Sequence, residues 1–208
     1  MALTAAPYGL RPINRIDGMP YAGATSQFLI DPTSGAGTNL FYGQVVLIDA
    51  NGYIALSTAT GADLTTNTLG GSSIGAWGVF VGCSYTNPST KQKVFAQYWP
   101  TGTVASDAVA YVVDDDRAVF QVQADGSLGV AALGANVYLS AVQSTSTGST
   151  TSGNSNTSVS ATAVTTTAAF RVVGFVDMVG FSTVGDAYTD ILVKFNPGYH
   201  SYSNAVGL

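Results

Sequence analysis

Short apolar runs separated by turn residues recur along most of the chain. They are rich in Val, Ile, Tyr and Phe and are bounded by Gly, Pro, Asn and Asp, a pattern that predicts β-strands. The runs cover residues 27–30, 44–48, 53–56, 76–82, 93–99, 109–113, 118–123, 137–139, 169–176 and 190–195. Helical periodicity nowhere reaches three turns, apart from a weak signal in 128–136. We therefore expect an all-β chain, either a compact antiparallel β-barrel or a β-sandwich.

Two pairs of runs predict hairpins. Asn51-Gly52 lies between two apolar runs, and both residues tolerate positive φ, which makes this a strong hairpin signal. The stretch Asp114-Asp115-Asp116-Arg117 separates 109–113 from 118–123 and predicts a second hairpin. Its tip would be solvated, with Arg117 as the counterion of the aspartates. Glycines within 76–82 predict a bulge or a tight bend in that strand.

The first 27 residues differ from the rest and are expected to form an extended N-terminal arm. Three prolines prevent a helix there, yet the apolar side chains are too many for a free tail. Two interpretations stay open: the arm packs on its own domain, or it reaches a neighbouring subunit. Residues 28–208 are expected to form a single β domain.

Residues 144–167 are rich in Ser and Thr, and no charged residue occurs between Asp125 and Arg171. A flexible linker is the compositional default for such a segment. The alternative is an ordered loop over 144–157 followed by a strand, because 158–164 alternates and Thr favours strands. An uncharged edge strand would need a partner, within its own subunit or in a neighbouring one.

Composition excludes several classes of protein. Hydrophobic residues make up 46%, enough for a core, whereas charged residues make up 9% against about 25% in an average domain. Twelve acids, all Asp, outnumber seven Lys and Arg, for a net charge of -5. Such a chain lacks the basic face of a nucleic-acid binder, so no nucleic-acid partner is expected. We expect no membrane partner either, since no apolar stretch approaches 18 residues and the N-terminus lacks the features of a signal peptide.

Residues that could carry chemistry are few. A Ser-His-Asp triad would have to use His200, the only histidine, but the sequence has no Gly-x-Ser-x-Gly motif to hold the serine. His200 is therefore expected at the surface or at an interface. The only cysteine, Cys83, stands in an apolar run and is expected to be buried. We therefore predict no catalytic residues, no cofactor and no metal site, and no enzyme. Trp77, Tyr98 and Trp99 are candidates for a carbohydrate-binding face or, alternatively, for core or interface positions.

The N-terminal motif resembles one in a known family. Pro7-Tyr8-Gly9-Leu10-Arg11-Pro12, followed by Gly18-Met19-Pro20-Tyr21, is similar to the "PxGLRP" arm of small virion proteins of tailed bacteriophages, common among marine phages. The resemblance continues in patches through Tyr42-Gly43-Gln44, the block from Tyr111 to Gln123, and the C-terminal run from Tyr188 to Asn196. The long Ser/Thr-rich segment departs from the family pattern.

The resemblance implies a head decoration (cement) protein, made in the host cytoplasm and placed on the outer capsid surface of the virion. Its partners would be the major capsid protein and further copies of itself in a homotrimer. The expected capsid or neighbour-subunit contacts lie in the arm: Tyr8, Leu10, Arg11, Pro12, Arg15 and Tyr21. Deletion of 1–21 is expected to abolish capsid binding and leave a folded domain. The alternatives are a tail, fibre or other virion surface component that binds glycans, and an enzyme such as a depolymerase.

Overall fold

The structure is a computed structural model that describes residues 4–58, 68–69, 72–73, 75–144, 146–178 and 181–204. Within these residues the regular elements are strands and two 3-10 turns, Val130–Ala132 and Ser201–Ser203. The strands are β1 (Arg11–Arg15), β2 (Ser26–Leu29), β3 (Val45–Ile48), β4 (Ile54–Leu56), β5 (Thr68–Leu69), β6 (Ser72–Ser73), β7 (Gly78–Thr86), β8 (Lys93–Ala96), β9 (Val109–Val113), β10 (Ala118–Gln123), β11 (Asn136–Val137), β12 (Phe170–Phe175) and β13 (Asp190–Phe195). The all-β prediction is therefore confirmed, and the weak helical signal in 128–136 corresponds to one 3-10 turn.

The strands form two antiparallel sheets that pack together as a sandwich. The smaller sheet has the order β1-β10-β13-β12-β11. The larger sheet has the order β2-β9-β7-β3-β4, and β8 pairs with the second half of β7. A separate pair, β5 and β6, completes the described strands.

The larger sheet is buried on both faces over its central strands. One face contributes Val45, Val79 and Val113 to the core between the sheets. The other face packs Val46, Phe80 and Val112 into a second cluster, covered by residues such as Leu40 and Trp99 from the connecting segments. Burial on both sides explains why these strands are continuous apolar runs rather than alternating ones.

Two local predictions are confirmed in the larger sheet. β3 and β4 form a hairpin, and the Asp49 carboxylate accepts the N–H groups of Asn51 and Tyr53 at 2.9 Å. In β7 the register shifts between Phe80 and Gly82, so that Val81 is the extra residue of a bulge.

The second predicted hairpin is wrong. β9 lies in the larger sheet and β10 in the smaller one, so 114–117 crosses from one sheet to the other. Both edges of each strand are already occupied, since β9 lies between β2 and β7, and β10 between β1 and β13. The counterion also differs from the prediction, because Arg15 of β1 contacts the Asp115 carboxylate at 2.8 Å.

The N-terminal arm packs on its own domain, the first of the two interpretations. Its strand β1 pairs with β10 along one edge of the smaller sheet, and β2 forms an edge of the larger sheet. Because β9 and β10 are joined by the 114–117 crossing, both edges lie on the same side of the sandwich. Residues 4–29 thus close that side.

The Ser/Thr-rich segment is an ordered loop, apart from residue 145, which lies outside the described residues. Its entrance is fixed by the Gln143 amide, which bonds both backbone groups of Val45 at 2.8 and 3.0 Å. The strand predicted over 158–164 is replaced by isolated bridges. Val159 bridges Ala124 and Leu139, and Val164 bridges Asn136. These contacts bury Val159 completely within its own subunit.

Candidate functional site

Tyr8 and Arg11 lie together where the arm meets the smaller sheet. The Tyr8 hydroxyl donates to the Asp190 carboxylate at 3.0 Å, and the Arg11 guanidinium lies 4.9 Å from the centre of the Tyr8 ring. Burial, followed by the negative charge of Asp190, raises the pKa of Tyr8. Burial also raises the pKa of Asp190, although the hydrogen bond from Tyr8 opposes it. Tyr8 therefore anchors the arm, while Arg11 remains exposed.

Leu10 and Pro12 are held by the fold itself. Leu10 is fully buried in the core between the sheets, so its side chain is not accessible to a partner. Pro12 is half-buried in β1, opposite Phe120. Pro is tolerated there because β1 is an edge strand and one of its N–H rows needs no ladder partner.

Arg15 and Tyr21 lie at the opposite end of the arm. Arg15 pairs with Asp115 and approaches Asp17 at 3.7 Å. The Tyr21 hydroxyl donates to the Ala24 carbonyl at 2.6 Å, and burial raises its pKa to about 12. Tyr21 also packs against the core between the sheets.

The arm exposes two apolar side chains that sequence reasoning did not select as contacts. Ile16 and Met19 are 49% and 58% exposed, on the turn that folds back along β1. This turn is fixed by the bond from the Arg15 N–H to the Met19 carbonyl at 2.9 Å. We call the surface formed by Pro12, Arg15, Ile16, Met19 and Tyr21 the arm edge.

A second exposed surface lies on the larger sheet. Cross-strand pairing joins Leu29 to Val109, Val109 to Ser84, and Ser84 to Phe95, which places all four on one face. It is the face that Val113 presents to the core, because residues 109, 111 and 113 alternate to the same side of β9. Past the bulge the two edge-strand side chains are exposed, Leu29 at 57% and Phe95 at 74%, whereas Val109 is half-buried and Ser84 is buried. We call this four-strand row the open sheet face.

An open concavity of about 600 Å³ lies between the open sheet face and Arg11. Its aromatic lining consists of Tyr42, Phe95 and Tyr111. Its polar lining includes Gln97 and Asn154, whose amides are joined by a 2.6 Å hydrogen bond from Gln97 Nε2 to Asn154 Oδ1. The signal for Phe95 was present in the alternation of 93–99, which places it on the same side as Lys93 and Gln97.

The aromatic residues proposed from the sequence do not form a common face. Trp99 is fully buried and packs against Tyr85 with ring centroids 4.9 Å apart. Trp77 contacts the rings of Phe28 and Tyr202, and Tyr98 stacks on Phe41. The core interpretation holds for Trp99, and the aromatic surface lies instead around the concavity.

The only histidine and the only cysteine of the chain are both buried. His200 is 1% exposed, which corrects the expectation of a surface or interface position. It is enclosed because the C-terminal segment bridges Ala76, which places the ring against Phe195 and Tyr202. The prediction for Cys83 is confirmed, since it is 1% exposed and burial raises the pKa of its thiol to about 12.

Neither a metal cluster nor a membrane-spanning helix is found in the described part of the chain. No three His, Cys, Asp or Glu side chains within it come together as metal ligands. Asp114, in the acidic crossing, accepts hydrogen bonds from Ser26 at 2.9 Å and Tyr202 at 2.7 Å. None of the described residues belongs to a helix long and apolar enough to cross a bilayer.

Comparisons with protein-family models, with curated proteins and with solved structures find no match to this chain.

Proposed function

We propose that this chain is a virion structural protein that decorates the outer capsid of a tailed bacteriophage and bridges neighbouring major capsid protein subunits. The observation that carries the proposal is the arm edge. It presents exposed apolar side chains on a backbone that is fixed to the rim of the sandwich, and Pro12, Met19 and Tyr21 within it belong to the motifs that resemble the decoration-protein arm.

The arm edge has the composition of a docking surface. Ile16 and Met19 supply apolar area, and Arg15 and Asp17 supply a charged rim. Interfaces between proteins commonly combine an apolar centre with a polar rim, and Met and Arg are enriched in them. The fixed turn lowers the conformational entropy lost on binding.

Bridging would stabilise the shell through avidity. A homotrimer presents three copies of the arm edge, and each copy contacts a different capsid subunit. Modest single contacts then add up, because the second and third contacts form at a high effective concentration. In this arrangement Leu10 and Tyr8 hold the arm in place, while Arg11 and the arm edge remain available to partners.

The first test is the copy number of this chain in purified particles, measured by quantitative mass spectrometry against the major capsid protein. We expect a ratio comparable to that of the capsid protein. A ratio of a few chains per particle would contradict decoration of the shell.

The second test uses particles stripped of this protein and re-incubated with variants. The double substitution of Ile16→Asp and Met19→Asp is expected to abolish re-binding without changing the thermal unfolding of the free protein, since both side chains are exposed. Val104→Asp is the matched control, because Val104 is 43% exposed and lies outside the arm. Re-binding of the double variant at wild-type affinity would refute the role of the arm edge.

A tail, fibre or other surface component that binds glycans is the second candidate. The aromatic concavity beside the open sheet face favours it. A low copy number would move this candidate to first place.

A further inference from the structure

We propose that the concavity beside the open sheet face binds a saccharide that carries a carboxylate group. This site is separate from the arm edge and does not depend on capsid decoration. Three features of its lining carry the inference.

The first feature is the aromatic lining. Phe95 is 74% exposed on a short edge strand, so its ring is accessible to a ligand. Tyr111 is held on the same sheet face, where its hydroxyl donates to Ser84 Oγ at 3.1 Å. Aromatic rings offer apolar faces for the C–H surfaces of a pyranose, and their few rotatable bonds keep the entropy cost of binding low.

The second feature is the amide pair. The bond between Gln97 and Asn154 fixes both side chains and uses one polar group of each. The oxygen of Gln97 and the nitrogen of Asn154 have no other hydrogen bond to the described residues. They provide one acceptor and one donor side by side, which matches the alternating donor and acceptor character of neighbouring sugar hydroxyls.

The third feature is the charge of Arg11. Among the described residues no carboxylate forms an ion pair with Arg11, whereas Arg15 and Lys93 each pair with an aspartate. The neighbouring Asp190 is buried and accepts a hydrogen bond from Tyr8, and burial raises its pKa. Arg11 is therefore an available cation on an acidic protein, and its planar guanidinium is suited to a carboxylate.

The shape of the site favours a small polar ligand over a protein partner. A volume of about 600 Å³ lies within the usual range of small-ligand pockets. Gly82 is one of the lining residues, and a Cβ atom there would lie 3.1 Å from the Ala96 carbonyl oxygen. A stable protein interface would bury roughly 800 Å² per partner and would have to extend well beyond the residues that line the concavity.

The test is a calorimetric titration of the full chain with tetragalacturonate and 3′-sialyllactose, each against a neutral control, maltotetraose and lactose. We expect binding of at least one acidic sugar, and at least ten-fold weaker binding of its neutral control. Phe95→Ala should weaken binding at least ten-fold. Arg11→Gln should remove the preference for the acidic sugar. The matched controls Val130→Ala and Arg117→Gln, which change an exposed apolar residue and an exposed cation elsewhere, should bind as wild type.

Several outcomes would overturn the proposal. They are failure of both acidic sugars to bind at millimolar concentration, equal binding of the neutral sugars, or unchanged affinity in Phe95→Ala. A shift from oligomer to monomer in Phe95→Ala, measured by light scattering, would show that a second copy occupies this surface instead. Failure of sugar binding leaves the decoration proposal untouched, because Phe95→Ala should still bind particles. Conversely, loss of particle binding by the arm-edge variant leaves the sugar site untouched, because that variant should still bind acidic sugars.

Discussion

Gly9 and Gly43 pack backbone against backbone. A Cβ atom on Gly43 would lie 2.8 Å from the Cα of Gly9 and 2.7 Å from the nitrogen of Leu10. Both glycines have positive φ, 81° and 84°, and the Leu10 N–H donates to the Gly43 carbonyl at 3.0 Å. The contact joins the start of the arm to the segment before β3. Two motifs that are distant in the sequence, around Gly9-Leu10 and Tyr42-Gly43, are thus two sides of one contact.

The close approach predicts a specific cost for a side chain at residue 43. We expect Gly43→Ala to lower the free energy of unfolding by at least about 2 kcal/mol, because it combines a left-handed backbone with a backbone clash. Gly52→Ala is the control, since Gly52 has a φ of 85° and no atom within 4 Å of an added Cβ. It should cost about 1 kcal/mol, the conformational part alone. Equal losses for the two variants in urea unfolding would show that the contact contributes nothing.

Leu10 determines what happens when the arm is shortened. Leu10→Ala should cost about 2–5 kcal/mol, as for other fully buried leucines, whereas Leu133→Ala, at a 54% exposed position, should change stability by less than about 0.5 kcal/mol. Deletion of 1–21 removes Leu10, Tyr21 and all of β1. Contrary to the expectation from sequence alone, we therefore predict an unfolded or aggregated product. A truncated chain with native circular dichroism and cooperative unfolding would contradict this assignment.

The sequence predicted local structure well and long-range arrangement poorly. The β3–β4 hairpin followed from Asn51-Gly52, because that turn is determined by the conformations of two adjacent residues. The crossing at 114–117 could not be predicted in this way, because the residues between two strands are similar whether the strands pair with each other or belong to different sheets. What decides between them is which strands occupy the edges of β9 and β10, and β1, β2, β7 and β13 come from distant parts of the chain.

The candidate surfaces show the same limit. The arm motif lies in the same segment as the arm edge, but the pattern did not distinguish Leu10, which is in the core, from Ile16 and Met19, which are exposed. The concavity was not predicted because its lining comes from six separate segments. The sequence does indicate an exposed ring at Phe95, because this aromatic residue stands on the polar side of an alternating run.

Cys83 should be inert in the native protein. It is buried, and the raised pKa of its thiol, about 12, leaves almost no thiolate at neutral pH. We expect a thiol reagent such as dithionitrobenzoate to label the unfolded chain within minutes and the native chain at the rate of global unfolding or slower. Rapid labelling of native protein, checked against Cys83→Ala as a blank, would show that the cluster around Trp99 opens locally.

His200 should make the protein less stable in mildly acidic solution. Its Nδ1 accepts the Tyr202 N–H at 3.3 Å, which places the proton of the neutral ring on Nε2, a buried atom with no partner among the described residues. Burial lowers the pKa of His200, and the carboxylates of Asp116, Asp114 and Asp115 oppose this only in part. Protonation would also replace the Nδ1 acceptor with a donor that faces another donor.

The sign of the pH effect follows from this lowered pKa. Above the unfolded value of about 6.5 the ring is neutral in both states and contributes no pH dependence. As the pH falls below about 6.5, the unfolded chain binds a proton that the folded chain does not, so stability decreases until the folded pKa is reached. Asp31, Asp107 and Asp186 have lowered pKa values, so their contribution is lost only at more acidic pH, as the unfolded carboxylates begin to protonate.

Urea unfolding at pH 7.5, 6.5, 5.5 and 5.0 separates the titration of His200 from that of the aspartates. Wild type should keep its stability between pH 7.5 and 6.5 and lose it progressively below about pH 6.5. His200→Gln should be less stable at pH 7.5, because it disturbs the packing against Phe195 and Tyr202, but its profile should be nearly flat down to pH 5.5. Parallel profiles for the two proteins would mean that His200 is not the group that titrates. The fluorescence of Trp77, which contacts Tyr202 at 5.5 Å between ring centroids, should report the same transition in wild type as the C-terminal turn is released.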